Sequence, residues 1–152
     1  MTSRPACSDS PAPVGVFRTR VEWIDTDAAG IYHNSVVTRF VEAAEATLMA
    51  ERGLNEYFPV APRVRYEVQF AAPLFFGQDV TTVVELVRLG SSSMTFDFVV
   101  WGEEFGDRAR RRAAHGSYVT VHIDRSHQDQ ATSTAWPEAW VRALGGCRDV
   151  EK

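Results

Sequence analysis

The 152-residue sequence has few cysteines, no excess of positive charge and no long apolar run, and each absence excludes a class of protein. Its two cysteines, Cys7 and Cys147, lie in neither a Cys-x-x-Cys nor a Cys/His spacing, so neither a zinc site nor a disulfide framework is indicated. A net charge of −4 with scattered arginines argues against a nucleic-acid-binding protein. No apolar run approaches the roughly 20 residues of a transmembrane helix, and the N-terminal residues lack a signal peptide's apolar core. We therefore expect a cytoplasmic protein with free thiols.

Length and composition predict one globular domain. The chain is close to the most common domain size, and its apolar fraction of 45% and charged fraction of 24% are ordinary for a folded protein. Residues 1–14 contain three prolines and three serines but little to bury, which predicts a disordered lead-in. We expect a single folded domain over residues 15–145 and a flexible tail over residues 146–152.

The first third of the sequence predicts one strand and one long helix. Residues Val16–Ile24 alternate between apolar and charged side chains, which is typical of a strand with one exposed face. Apolar residues then recur with a period near 3.6 over residues 35–52, which predicts a helix. Asn34 or Ser35 can cap its start with a side-chain oxygen, and Gly53 supplies its end.

The rest of the sequence is rich in strand patterns. Four segments predict strands and are separated by turn signals: Val64–Phe70, Val80–Leu89, Met94–Trp101 and Ala113–Asp124. A short helix follows at Trp136–Leu144. Long strands with short loops indicate an antiparallel sheet, and the single long helix would bury its apolar stripe against that sheet. The open edges of such a sheet favour dimerisation by edge pairing.

A motif before the long helix resembles a known family. Residues 21–40 read VEWIDTDAAGIYHNSVVTRF, and this D-x-D-x-x-G pattern resembles the opening motif of the 4-hydroxybenzoyl-CoA thioesterase-like hotdog enzymes. The stretch FAAPLFFGQDV at residues 70–80 resembles that family's loop between its second and third strands. The resemblance covers roughly residues 16–124. It implies an α+β hotdog fold, in which an antiparallel five-stranded sheet wraps around one central helix.

The resemblance also implies an activity and a site. The family hydrolyses acyl-CoA thioesters. A carboxylate and an amide donor suffice for this chemistry, so we expect no metal or organic cofactor, and CoA enters only as part of the substrate. Its catalytic carboxylate, a nucleophile or a general base for water, falls on Asp27. Its oxyanion donor falls on the backbone N–H of Asn34, with His33 beside it. Many members place a Tyr-His pair one position later than Tyr32-His33, which leaves the role of the His33 side chain open. The family's active site lies at a dimer interface and tetramers are common, so we expect a homodimer or homotetramer.

Elementary chemistry supports this arrangement independently. Backbone N–H groups at a helix start are unpaired and carry the positive end of the helix dipole. One such donor aimed at a developing oxyanion is typically worth ~3 kcal/mol in the transition state. Gly30 permits the tight turn that would bring Asp27 toward the helix start. Together with this chemistry, the resemblance implies that Asp27, the Asn34 N–H and His33 form the catalytic site, with Gly30 and Tyr32 contacting the substrate.

The basic cluster from Arg108 to Arg112 has two interpretations. In a strand, Arg110 and Arg112 would share a face, and guanidinium groups bind phosphates such as those of coenzyme A well. On this interpretation, Arg110 and Arg112 bind substrate. The alternative is a charged loop and edge that discourages aggregation.

Other polar residues have structural interpretations. We expect Asp25 to accept hydrogen bonds from turn amides, and Glu42 and Glu45 to be solvated or ion-paired, although another branch of hotdog thioesterases uses a helix glutamate. His115 and His122 are predicted on opposite faces of one strand and so form no metal pair.

Several aromatic residues could line an acyl tunnel, but the core is the expected place for them. They are Trp23, Tyr32, Phe40, Tyr66 and Phe70.

Two further functions remain open. The substrate could be an acyl-carrier-protein thioester of a biosynthetic pathway rather than an acyl-CoA. The chain could also be a non-catalytic acyl-binding hotdog module, although Asp27 argues against this. Dehydratases of the same fold expect a histidine with an acidic residue in a different arrangement, and the sequence shows no clear equivalent.

Overall fold

The computed structural model of the protein describes residues 11–126 and 131–145. The predicted tail, both cysteines and most of the predicted lead-in lie outside these ranges. Within them, the chain forms a five-stranded antiparallel sheet and one long helix, which confirms the predicted α+β hotdog fold. In the same ranges, no helix has the length and apolar character needed to cross a membrane. The cytoplasmic location stays a prediction.

The main sheet has the strand order β1-β3-β4-β5-β2, and each neighbouring pair is antiparallel. The strands are β1 Val14–Arg20, β2 Arg63–Phe70, β3 Asp79–Leu89, β4 Ser93–Gly102 and β5 Arg111–Val121. Helix α1, Val36–Glu51, joins β1 to β2 in the chain. A small hairpin of β6 Ile123–Asp124 and β7 Thr132–Ser133 precedes helix α2, Glu138–Ala143. The edge strands are β1 and β2, and each has one edge without a partner strand in the part of the chain that the structure describes.

Helix α1 buries the apolar stripe that its sequence predicts. Each of Val37, Phe40, Val41, Ala44, Leu48 and Met49 has at most 1% of its surface exposed. Ser35 occupies the capping position but makes no side-chain capping bond, so the predicted capping bond is wrong. At the other end Gly53 has φ +72°, and the N–H groups of Gly53 and Leu54 donate to Ala50 and Met49, which ends the helix as predicted.

The sheet approaches the helix backbone closely at Gly15. A Cβ atom on Gly15 would lie 2.2 Å from the Ala44 carbonyl oxygen and 2.8 Å from the Leu48 Cβ. No side chain fits in that space, so glycine in β1 and a small residue in α1 together allow this close packing.

The first strand is shorter than predicted. It ends at Arg20, and residues Trp23–Asp25 form a 3₁₀ turn instead. Trp23 and Ile24 consequently point outward, with 71% and 82% of their surfaces exposed. The prediction that Trp23 fills the core is therefore wrong.

The other aromatic predictions divide between core and surface. Phe40 and Tyr32 are buried as predicted, and Tyr66 is partly buried and packs against the core. Phe70 is 47% exposed in this single chain, so its predicted burial is wrong here.

The last long strand also differs from its prediction at both ends. Because β5 begins at Arg111, Arg110 lies in the preceding loop, and the expectation that it shares a strand face with Arg112 is wrong. His122 lies between β5 and β6, where its Nδ1 is 2.9 Å from the Ala135 carbonyl oxygen. In the described ranges, no group of three or more His, Cys, Asp or Glu residues could hold a metal ion.

Candidate active site

A tight hairpin between β1 and α1 carries Asp27. Thr26 and Tyr32 form an antiparallel bridge across it. The Asp27 N–H donates to the Ile31 carbonyl at 2.8 Å, and the Gly30 N–H donates to the Asp27 carbonyl at 3.0 Å. Gly30 has φ +78°, a conformation that few residues other than glycine adopt. The glycine of the motif thus allows the chain to turn back directly after Asp27.

The Asp27 carboxylate is fixed through one of its oxygens. Oδ1 accepts the Ala29 N–H at 2.8 Å, which is the local bond expected of an aspartate in a turn. Oδ2 has no hydrogen-bond donor in the part of the chain that the structure describes. The side chain is half-buried, so this second oxygen remains available to a ligand.

The start of α1 follows the hairpin directly. The His33 carbonyl accepts the Val36 N–H at 3.0 Å, and the Asn34 carbonyl accepts the Val37 N–H at 3.4 Å. Over residues 11–126 and 131–145, the backbone N–H groups of Asn34 and Ser35 have no acceptor. They lie at the positive end of the helix dipole, where negative charge is stabilised. The predicted oxyanion donor is therefore unengaged.

Asp25 is the buried member of the aspartate pair. Only 3% of its surface is exposed, its Oδ2 accepts the Glu22 N–H at 2.8 Å and its Oδ1 pairs with Arg39 of α1. Its backbone carbonyl accepts the His33 N–H at 2.8 Å. The predicted bond to a turn amide is confirmed, whereas the ion pair was not predicted.

An open cleft of about 380 Å³ lies beside the Asp25–Arg39 ion pair. Its lining includes Ile24, Asp25, His33, Ser35 and Arg39. The His33 side chain is exposed at this cleft. The cleft therefore brings the predicted site residue His33 together with the buried Asp25 carboxylate and the start of α1.

Tyr32 anchors the hairpin to the core. It is 5% exposed, its N–H donates to the Leu74 carbonyl at 2.9 Å and its hydroxyl donates to the Ala72 carbonyl at 3.4 Å. Burial raises the pKa of the Tyr32 hydroxyl, which is therefore a neutral donor at neutral pH. Tyr32, predicted to contact substrate, here packs inside the protein.

The two predicted substrate-binding arginines occupy different surroundings. Arg110 pairs with Glu103, and its guanidinium carbon lies 4.2 Å from the Trp101 ring centroid. Arg112 lines a shallow groove of about 340 Å³ together with His115. Arg110 thus has an acidic partner, whereas Arg112 borders an open groove.

Arg108, which we did not predict as a site residue, is connected to the hairpin. Its guanidinium carbon lies 3.9 Å from the ring centroid of Phe75, and Phe75 forms a β-bridge with Ile31. Its place in the basic cluster was the only sequence signal for this position.

The two helix glutamates share one arginine of β2. Glu45 Oε2 lies 2.9 Å from Arg63 Nη2, and Glu42 Oε1 lies 3.5 Å from Arg63 Nη1. Their predicted ion pairing is confirmed, but Glu45 has 0% of its surface exposed, so solvation of this residue is wrong. Burial raises the pKa of the Glu45 carboxyl, and the Arg63 charge partly opposes that shift.

The chain is similar in sequence to known thioesterases. A family model described as "Thioesterase superfamily" matches residues 29–108. The 1,4-dihydroxy-2-naphthoyl-CoA hydrolase of Thermosynechococcus vestitus is 27% identical over 105 residues, which cover 65% of this chain and 71% of that protein.

Solved structures share the fold. The 4-hydroxybenzoyl-CoA thioesterase from Pseudomonas sp. strain CBS-3 has a TM-score of 0.77 at 16% identity, over 87% of this chain and 99% of that one. A thioesterase from Thermus thermophilus, complexed with coenzyme A and Zn, has a TM-score of 0.73 at 24% identity, over 88% and 92% of the two chains.

Proposed function

Because this chain belongs to the thioesterase superfamily, a family of thioester hydrolases, we propose that it cleaves an acyl- or aryl-CoA thioester with Asp27 as its catalytic carboxylate. One observation carries the proposal. Among the residues that the structure describes, the Asp27 carboxylate has one anchored oxygen and one without a donor, and its hairpin leads directly to two backbone amides without an acceptor. The naphthoyl-CoA substrate in the name of the Thermosynechococcus relative favours an aryl group.

The proposed reaction uses the carboxylate, the amides and water. The thioester carbonyl oxygen accepts the Asn34 N–H, and its developing charge is stabilised by the helix start. Asp27 either attacks the carbonyl carbon or removes a proton from an attacking water. In the first route, an anhydride forms and water then hydrolyses it. In both routes the C–S bond breaks, CoA leaves as the thiol and the acyl group leaves as the acid.

The substrate contacts are also proposals. His33 is placed for a contact because it is exposed at the cleft beside the start of the helix, and Gly30 leaves the hairpin tip free of a side chain. Arg112 is a better candidate for a CoA phosphate than Arg110, whose guanidinium is already paired with Glu103.

We further propose that the active form is a homodimer or homotetramer. The edge strand β2 exposes Val64 by 62% and Phe70 by 47% in the single chain. Edge pairing with a second copy would satisfy the unpaired backbone groups and cover these side chains.

Replacing Asp27 with Asn tests the assignment. We expect kcat to fall by ~10² or more, because the substitution removes the nucleophile or base and retains the shape of the side chain. The assay is thiol release from a panel of aryl-, short-chain and long-chain acyl-CoA substrates, with circular dichroism and native mass as checks on folding and assembly.

Glu42→Gln is the matched control, and we expect it to retain most of the turnover. If Glu42→Gln were inactive and Asp27→Asn active, the carboxylate would be misassigned. Acyl-carrier-protein thioesters in the same panel distinguish a carrier-protein substrate from coenzyme A.

A further inference from the structure

Asp25 joins three segments around the proposed site. Its side chain accepts the Glu22 N–H at 2.8 Å and pairs with Arg39. Its backbone carbonyl accepts the His33 N–H at 2.8 Å. One buried residue therefore connects the 3₁₀ turn, the base of the Asp27 hairpin and helix α1.

Asp25 and Arg39 each lie next to one part of the proposed site. Asp25 is two residues before Asp27, so the hairpin starts from the point that the ion pair holds. Arg39 lies in the first turn of α1, five residues after Asn34. The ion pair consequently connects the hairpin that carries Asp27 with the helix start that carries the Asn34 amide.

The other anchors of this region act in a different direction. Val21 exchanges hydrogen bonds with Gly77 and Gln78 at 2.9 Å, and the Tyr32 N–H bonds to Leu74. These contacts attach the hairpin to the loop before β3, whereas the Asp25 side chain attaches it to the helix.

The Asp25–Arg39 ion pair is also not expected to contribute mainly to the free energy of unfolding. The Arg39 side chain is 54% exposed while that of Asp25 is 4% exposed, so solvent screens this pair more than it would a pair buried on both sides. Apolar replacements of such pairs are often as stable as the pair itself, but they lack its directional hydrogen bonds.

We propose that Asp25 and Arg39 are positioning residues that set the distance between the Asp27 carboxylate and the Asn34 amide. This inference rests on the proposed function, because it assigns the pair a role in that site. Neither residue takes part in bond making.

The test compares Arg39→Gln, Asp25→Asn and their double variant with Arg52→Gln. Arg52 is a matched control because it lies at the other end of α1, where its Nη1 donates to the Ala143 carbonyl at 3.0 Å. We expect kcat to fall about 10-fold in each single variant with KM nearly unchanged, because misplaced reacting groups lower turnover. The double variant should be no worse than either single variant, since both break one contact. Arg39→Lys should recover part of the loss.

Hydrogen exchange gives a second readout that needs no substrate. Amides of residues 22–35 should exchange faster in Arg39→Gln than in the native protein or Arg52→Gln, while those of β3 and β4 should not change. A normal kcat in Arg39→Gln, or unchanged exchange over residues 22–35, would overturn the inference. A native protein inactive on every thioester, or a fully active Asp27→Asn variant, would instead contradict the proposed function, and the exchange result would still decide whether the pair holds the hairpin.

Discussion

Two of the carboxylate–arginine pairs on helix α1 lie in different surroundings, Asp25–Arg39 at its start and Glu45–Arg63 at its middle. In the first pair, Asp25 is buried while the Arg39 side chain is 54% exposed beside an open cleft. In the second, Glu45 is fully buried and the Arg63 side chain is only 20% exposed. The same chemical contact thus occurs once at the edge of the proposed site and once within the protein core. We infer that the first mainly fixes geometry and the second mainly affects stability.

The core pair belongs to an aromatic and hydroxyl-rich cluster. The Arg63 guanidinium carbon lies 4.7 Å from the Tyr118 ring centroid, and the Tyr57 hydroxyl donates to Thr120 Oγ1 at 2.8 Å. Burial, together with the Glu45 charge, raises the pKa of both Tyr57 and Tyr118, so both hydroxyls stay neutral. Arg63 is then the cation that balances Glu45 in this cluster.

The largest expected effect comes from breaking the core pair. Arg63→Ala should lower the free energy of unfolding by about 3–5 kcal/mol, because it leaves the Glu45 carboxylate buried without its cation. Urea denaturation measures this loss. Glu42→Ala is the control, since Glu42 is the half-exposed partner of the same arginine, and it should cost less than about 1 kcal/mol. Equal losses in the two variants would remove the distinction between buried and exposed partners.

A smaller effect is expected from pH, and it has a definite sign. The Glu45 carboxyl has its pKa raised above the ordinary value of 4.5, so the folded state binds this proton more tightly than the unfolded chain. Its contribution to stability is therefore fully present below pH 4.5 and declines as the pH rises through the raised pKa. Glu45→Gln cannot ionise and should lack this decline.

The measurement is the urea midpoint of both proteins across the acidic to neutral range. The native protein should lose stability relative to Glu45→Gln as the pH rises. A relative gain would show that Arg63 stabilises the charged form more than burial disfavours it.

The smallest stability effect is expected at the edge of the site. Arg39→Gln should lower the free energy of unfolding by about 1 kcal/mol, because solvent screens the half-exposed arginine and the buried Asp25 carboxylate keeps its hydrogen bond from the Glu22 N–H. Its turnover should nevertheless fall, so its main effect is on activity, whereas the main effect of Arg63→Ala is on stability. A loss as large as that of Arg63→Ala, in the same urea experiment, would make the Asp25 pair a second stabilising pair.

The sequence predicted elements better than it predicted the contacts between them. The apolar spacing of α1 and the alternation of β2 to β5 predict the fold, because each pattern reports one buried face. Neither arginine partner could be predicted, since Arg39 and Arg63 are 14 and 18 residues from their carboxylates. The burial of Glu45 did have a signal, because it lies four residues from both Val41 and Met49 on the apolar stripe.

The errors near the site have a local cause. The alternation in β1 continues past Arg20, but Glu22 and Asp25 form a reciprocal capping arrangement that turns the chain. The spacing of Glu22 three positions before Asp25 was the sequence signal for this turn. The anchoring of Asp27 by Ala29 is an ordinary aspartate turn and follows from the sequence, whereas the inward orientation of Tyr32 depends on the distant loop at Leu74.

Gly15 fixes the spacing between strand β1 and helix α1, and this limits which parts of the site can be redesigned. Because the Ala44 carbonyl occupies the space of any Cβ at this position, a larger residue would force strand β1 and helix α1 apart. The Asp27 hairpin connects these two elements along the chain. Moving β1 and α1 apart would also move the hairpin and the start of the helix. Substitutions meant to reshape the surroundings of the hairpin should therefore begin at residues 71–78, which contact the hairpin but belong to neither β1 nor α1.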